Sequence, residues 1–321
     1  MTHVTVPGRA NLIGEHIDYH NLPVLPIALR RSIRLRFVPR ADHRIHAVSD
    51  DYGVRCFDWT PGLRTTAPGD WENYLRAAAE TVAGRWGILR GIDAWVTSDL
   101  PAAAGLSSSS ALLVAFTLAI LRANGIEASF DELMEILPEG EQFVGTRGGG
   151  MDHAAVLGSR EGCASLISFN PVAIRHIPIP PGWAFLVADC GVRAEKSGAV
   201  RERYNAIRAG GGQAPEHVAT ESARVEEAVD ALRNDDPDRF GRLLLDSHAS
   251  LRDRLHVSIP ALDHLVQAAV ASGALGARLT GAGFGGCAIV LCHRRNLNRV
   301  RAGLQPAPVI DAEPGPGAVH S

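Results

Sequence analysis

The sequence has no run of apolar residues approaching the roughly 18–20 that a membrane helix needs. Nor does it carry a strong excess of one charge. The 32 Lys+Arg stand against 35 Asp+Glu, for a formal net charge of -3. That excludes a strongly basic nucleic-acid binder, though not a local basic patch. Cysteine is scarce: Cys56, Cys163, Cys190, Cys287 and Cys292 form no CxxC pair, and their spacing fits no metal template. They are expected to be small buried apolar residues in a reducing compartment. The opening residues pass straight into a strand-like pattern, with no basic stretch or apolar core, so a secretory signal is not expected. What is present describes a folded chain: 321 residues, 46% hydrophobic and 21% charged, enough for two ordinary domains.

Hydrophobic patterning predicts strands at 3–6, 24–38, 92–97, 164–167, 184–188, 277–280 and 287–292, and a strand pair within 44–60. Helices are predicted at 71–85, 111–123, 130–137, 151–157, 196–208, 217–233, 238–249 and 260–272. Groups of strands and groups of helices suggest an α+β protein in two halves, 1–180 and 181–321, divided near Pro180 and Pro181. Gly210, Gly211 and Gly212 and the tail from Ala312 onward are the loosest parts by composition.

Three glycine-rich stretches stand out. In the first, Gly8-Arg9-Ala10-Asn11-Leu12-Ile13-Gly14-Glu15-His16-Ile17-Asp18-Tyr19, charged residues cluster between glycines; taken alone, this could be a solvated loop or a site. The second is Gly105-Leu106-Ser107-Ser108-Ser109-Ser110, ahead of an apolar helix. Small residues let a backbone approach a phosphate, and the helix N-terminus favours an anion; a plain serine cap is the alternative. It is not a Walker loop, because the Gly-Lys-Ser/Thr ending is missing. The third, Thr280-Gly281-Ala282-Gly283-Phe284-Gly285-Gly286, is a tight loop between two strands.

In this order the three stretches resemble the GHMP kinases, and within them the galactokinase branch. Asp70-Trp71-Glu72-Asn73-Tyr74, Met151-Asp152, Arg203-Tyr204-Asn205, Ser247-His248 and Glu313-Pro314-Gly315 add to the likeness, which spans nearly the whole chain. The resemblance implies a two-domain GHMP kinase fold, its second domain ferredoxin-like, with the active site in the cleft between domains. It implies ATP-dependent phosphorylation of the anomeric hydroxyl of a monosaccharide, most directly galactose. A kinase for L-arabinose or galacturonate, or a sugar- and ATP-binding sensor without turnover, are the alternatives. It implies a cytoplasmic monomer or weak dimer, with no nucleic-acid or membrane partner.

Residue by residue, the resemblance implies Asp152 as general base beside Arg9. Glu15, His16, Asp18, the Gly149 backbone and Tyr204 would read the sugar. Gly105, Leu106, Ser107, Ser108, Ser109, Ser110, Gly281 and Gly283 would surround the nucleotide. Mg²⁺ would be held by Ser109 and a glutamate. The family's glutamate position falls on Gly140 here, so either Glu141 is recruited by a local shift or the ion keeps a mostly water shell, Glu139 being disfavoured. The segment before Asp152 also departs from the family's Gly-x-Pro-Cys-Gly-Ile-Met-Asp-Gln, reading Gly145-Thr146-Arg147-Gly148-Gly149-Gly150-Met151-Asp152-His153. Arg147 or Lys196 is expected to pair with a substrate carboxylate or to be a surface charge.

Overall fold

A computed structural model describes residues 2–101, 105–146, 148–193, 198–209 and 215–318. Ala103, Ala104, Arg147, Glu195, Lys196 and the glycines 210–212 lie outside the described residues. The first part of the chain forms β1 (Thr2–Ile13), β2 (Leu25–Pro39), β3 (Arg44–Ser49), β4 (Gly53–Asp58), α1 (Glu72–Trp86), β5 (Ile92–Ser98), α2 (Ser108–Ala123), α3 (Phe130–Phe143), α4 (Met151–Gly158), β6 (Cys163–Ser168) and β7 (Ala173–Pro178). There follow β8 (Trp183–Asp189), α5 (Gly198–Ala209), α6 (Pro215–Arg233), α7 (Pro237–Asp253), α8 (Pro260–Ala271), β9 (Gly276–Thr280), β10 (Cys287–His293), α9 (Leu297–Gly303) and β11 (Val309–Asp311).

The strands before α2 make a five-stranded sheet in the order β1-β2-β5-β3-β4, in which only β3 and β5 run parallel. A four-stranded antiparallel sheet, β11-β8-β10-β9, occupies the later part. Residues 180 and 181 fall in the turn between β7 and β8. An apolar core nevertheless runs across that turn, joining Leu12, Ile13 and Leu29 to Phe185, Val187, Leu244 and Ile289. At its centre lies α2, apolar almost all round, against β1, β2 and α1. A helix hydrophobic on every face is a helix surrounded by protein.

Three differences from the sequence reading have physical causes. First, β1 does not stop at Val6 but runs on to Ile13, shifting register between Pro7 and Arg9 and again between Asn11 and Ile13. Bulges of this kind re-aim side chains. The first charged stretch therefore begins on a buried strand, not in a solvated loop. Second, α3 passes through Pro138 and continues to Phe143. The proline removes one backbone donor, but a capping box at Ser129 and Glu132 anchors the start, and burial of Ile136, Leu137, Gly140 and Glu141 carries the helix onward.

Third, the tail that looks loose by composition is tied down. Gly315 N–H donates to the Ala28 carbonyl, Gly317 to Ser159 and Ala318 to Val156. Composition could not show these partners, because each lies on the first sheet or at α4. The short β7, α9 and β11 carry too little pattern to stand out in sequence. Of the cysteines, Cys163, Cys287 and Cys292 are buried, whereas Cys190 is half-buried and Cys56 is exposed on the edge strand β4. No helix among the described residues is long and apolar enough to cross a membrane.

Candidate active site

The end of β1, the loop after it, the start of α4 and the β9–β10 loop meet around a cleft that opens to solvent. Arg9, Glu15, His16, Asp18, Glu141, Asp152, Tyr204 and Gly281 all line it. The bulged end of β1 aims Arg9 at the first turn of α4. Its Nε donates to Asp152 Oδ1 at 2.8 Å, with Nη2 at 2.6 Å from the same oxygen, and Nη1 donates to the Gly105 carbonyl at 2.6 Å. One buried guanidinium thus joins the first glycine-rich stretch, the second and the start of α4. Burial alone would lower the Arg9 pKa, but the carboxylates of Asp152, Glu15 and Asp18 outweigh it and hold it above its ordinary value.

Gly105 and Gly281 are in turn packed together. A Cβ on Gly281 would stand 3.0 Å from the Gly105 carbonyl oxygen. Ser107 opens α2 in a left-handed conformation, φ 58°, and makes no side-chain cap. Its hydroxyl is buried without a partner among the described residues. The first N–H groups of α2 are therefore left for something other than a serine cap.

Beside this turn, Ser110 Oγ donates to Glu141 Oε1 at 2.6 Å and lies 3.4 Å from Asp152 Oδ2. The serine that reaches the glutamate is Ser110, not Ser109: neighbouring helical positions point about 100° apart. Positions 140 and 141 likewise point different ways. A Cβ at position 140 would point to Thr81 and Leu113 in the core, whereas Glu141 is buried at the cleft. Glu139 is exposed.

A second buried network holds the loop after β1. Glu15 Oε1 accepts from Gly281 N–H at 2.6 Å and is ion-paired to Arg278 Nη2 at 2.7 Å. Arg278 is fully buried, and its Nη1 reaches Ser247 and lies 3.6 Å from Glu221 Oε1. Glu221 accepts from the Gly14 N–H and from Ser247. Burial works against its charge, but Arg278 above all brings its pKa below the ordinary value. Glu15 lines the cleft, yet this oxygen is already committed to protein donors, so its first task is to fasten the loop to the β9–β10 turn.

Asp18 is more available. Its Oδ2 accepts from the Gly149 N–H at 3.1 Å. A Cβ at Gly149 would stand 2.4 Å from that oxygen, so this approach requires glycine. His16, with Nδ1 3.1 Å from the Tyr19 hydroxyl and Nε2 3.2 Å from the Ala282 carbonyl, packs against Tyr204 with ring centroids 5.7 Å apart. Burial pushes its pKa down to about 4, so the ring is neutral near pH 7. A carbonyl can only accept, so Nε2 carries the proton and Nδ1 accepts from Tyr19. Both ring nitrogens are thereby engaged with protein.

Burial pushes the Asp18 carboxyl from 3.8 up to about 6, with Asp152 and Glu15 adding to the rise. The folded protein then holds this proton more tightly than the unfolded chain, so stability is lost as pH climbs from about 4 to about 6. Asp18→Asn cannot ionise. It is expected to gain on the wild type across that window, by up to about 3 kcal/mol in the ligand-free protein. Urea unfolding at pH 4, 5 and 7 checks this; a variant less stable than wild type at pH 7 contradicts it.

Comparison with known proteins gives the family. Models of the GHMP kinases N terminal domain and C terminal domain match residues 73–159 and 228–309, and the galactokinase galactose-binding signature matches residues 2–36. A galactokinase from Roseiflexus sp. (strain RS-1) is 34% identical over 343 residues, covering 95% of this chain and 86% of that protein. The chain belongs to the galactokinase family of GHMP kinases. A Chloroflexus aggregans galactokinase is 35% identical over 93% of this chain and 85% of its own length. The fold agrees: a Lactococcus lactis galactokinase solved in complex with galactose superposes with a TM-score of 0.89 at 25% identity, over 98% of this chain and 94% of that one.

In this kinase the residues expected from sequence are largely brought together. Arg9, Glu15, His16, Asp18, Gly149, Asp152, Tyr204, Glu141 and Gly281 share the cleft wall. Leu106 is buried behind it, its carbonyl accepting from Arg9 N–H. Gly283 is not among the lining residues; a Cβ there would meet the Val257 carbonyl oxygen at 2.4 Å, so it seats the loop instead. Sequence reasoning missed Arg278, Glu221 and His217, whose Nε2 meets the Glu15 carbonyl oxygen. One signal was available: an arginine inside an otherwise apolar strand, β9, needs a buried counter-charge.

Proposed function

We propose that this kinase transfers the γ-phosphoryl group of ATP to the anomeric hydroxyl of galactose. The observation that carries the reading is Arg9 paired with Asp152 across the same cleft that presents Asp18 and Gly149. Asp152 Oδ2, on the side away from Arg9, takes the hydroxyl proton as the new O–P bond forms and the bond from the γ-phosphorus to ADP breaks. Arg9 keeps Asp152 ionised and offsets the negative charge that gathers on the attacking oxygen and the phosphoryl group. Asp18 accepts sugar hydroxyls and, with the neutral His16 and Tyr204, orients the ring. The start of α2, from Gly105 to Ser110, receives the phosphates on unclaimed N–H groups and the free Ser107 hydroxyl.

The residues also fit Mg²⁺. Glu141 is a buried carboxylate at the cleft with the Ser110 hydroxyl beside it, and no cluster of three or more His, Cys, Asp or Glu suited to a metal occurs among the described residues. An ion that takes one or two carboxylates, phosphates and water suits that donor set, and it would neutralise phosphate charge. Glu141→Ala is expected to raise the Mg²⁺ concentration for half-maximal rate about tenfold or more. Glu139→Ala, on the exposed side of α3, is expected to leave it unchanged. Equal effects of the two changes contradict the placement.

The reading is tested by ADP release over a panel of monosaccharides including galactose, L-arabinose and galacturonate, with the product's phosphate position read by phosphorus NMR. Galactose 1-phosphate is the expected product. Preference for the uronate would move the substrate to an acid sugar, and binding without ADP release would make the protein a sensor.

A further inference from the structure

His153 follows Asp152 in the first turn of α4 and lines the same cleft, yet the proposed transfer does not use it. Its side chain is 1% exposed, and neither ring nitrogen has a hydrogen-bond partner among the described residues. A buried imidazole with both nitrogens unsatisfied carries a free-energy cost that another state of the site must relieve. Its Nε2 lies 3.6 Å from Glu141 Oε1, just outside hydrogen-bond distance. The same oxygen already accepts from Ser110 Oγ. The other carboxylate oxygen, Oε2, stands 2.5 Å from where a Cβ on Gly148 would be. Glu141 can occupy this position only because residue 148 is glycine.

We propose that His153 is a positioning residue for Glu141: its Nε2–H closes onto Oε1 when a divalent cation binds, fixing the carboxylate so that Oε2 is presented over Gly148. The proposal rests on the reading of Glu141 as a ligand of the nucleotide-bound cation. A carboxylate held at one oxygen by two donors cannot swing between ligand and non-ligand rotamers, so less freedom is lost on binding. Hydrogen bonds behind a ligand are worth about 10–100-fold in metal affinity.

Mn²⁺ titration followed by electron paramagnetic resonance, with ADP present, tests this in the full chain. His153→Leu should weaken Mn²⁺ binding about 10–100-fold, and His153→Gln, which retains a donor, should recover most of the loss. Glu141→Gln should weaken it too, and Glu141→Gln/His153→Leu should be no weaker than Glu141→Gln alone. Galactose affinity measured without metal should stay within about threefold in His153→Leu, the size of an indirect effect. Wild-type Mn²⁺ binding in His153→Leu, with weakening in Glu141→Gln, overturns the role of His153 and leaves the metal reading intact. Wild-type binding in Glu141→Gln overturns the metal reading itself. Parallel losses of Mn²⁺ and galactose affinity would mean damage to the fold and overturn the proposal. If His153→Leu does not fold, nitrogen NMR of the imidazole with Mg²⁺ and ADP decides. Nε2 should shift on Glu141→Gln, and an unmoved resonance overturns the hydrogen bond.

Discussion

Asp152→Asn is expected to lower turnover by about 10²–10⁴-fold, the usual worth of a general base, while sugar affinity stays within a few fold. Asn is nearly the same size as Asp, and the helix start at Gly150 does not depend on a side-chain cap. The amide oxygen can still accept from Arg9, so packing against the guanidinium survives. What is lost is the proton acceptor and the charge that neutralises Arg9. Pre-steady-state ADP formation, with sugar binding measured separately by calorimetry, distinguishes the outcomes. A variant with wild-type turnover would remove Asp152 from the chemistry. A variant that loses sugar binding in proportion would make it a binding group.

The second large effect is expected away from the reacting atoms. Arg278→Met should destabilise the protein by about 3–5 kcal/mol, because breaking a buried ion pair strands its partners. Here Glu15 and Glu221, both buried, face Arg278; Glu15 loses the arginine at 2.7 Å, whereas Glu221 keeps Arg224 at 2.6 Å. The same change frees the loop that carries Glu15, His16 and Asp18, so sugar affinity should fall with stability. Urea unfolding gives the first quantity, and adding Glu15→Gln in the Met background should return part of it. A loss below about 1 kcal/mol, the range of an exposed pair, would mean that water reaches the network.

Much of the site was legible in the chain. Arg9, Asp18 and Asp152, which the resemblance to the family singled out, do line one cleft. Most helices were also legible, since burial of one face imposes its period on the sequence. Signals failed where local chemistry and tertiary packing disagreed. Pro138 reads as a helix stop, yet α3 continues past it under burial. Pro7 and Gly8 read as the end of a strand, yet β1 bulges and continues. The glycine- and proline-rich tail reads as loose, yet its backbone is bonded to residues 28, 156 and 159.

The sequence by itself determined the class of the protein and the order of the three glycine-rich stretches. These depend on which side chains exist and on the few backbone shapes available to segments of about ten residues. Only the tertiary structure decided which serine meets Glu141, which way position 140 points, and where the charge of Glu15 is spent. Those answers depend on helix rotation and on contacts between distant segments, as when Arg278 from β9 reaches Glu15 beyond β1. Spacing along a chain carries no information about such pairs, because a rotation of about 100° per residue turns a one-residue shift into a different neighbour.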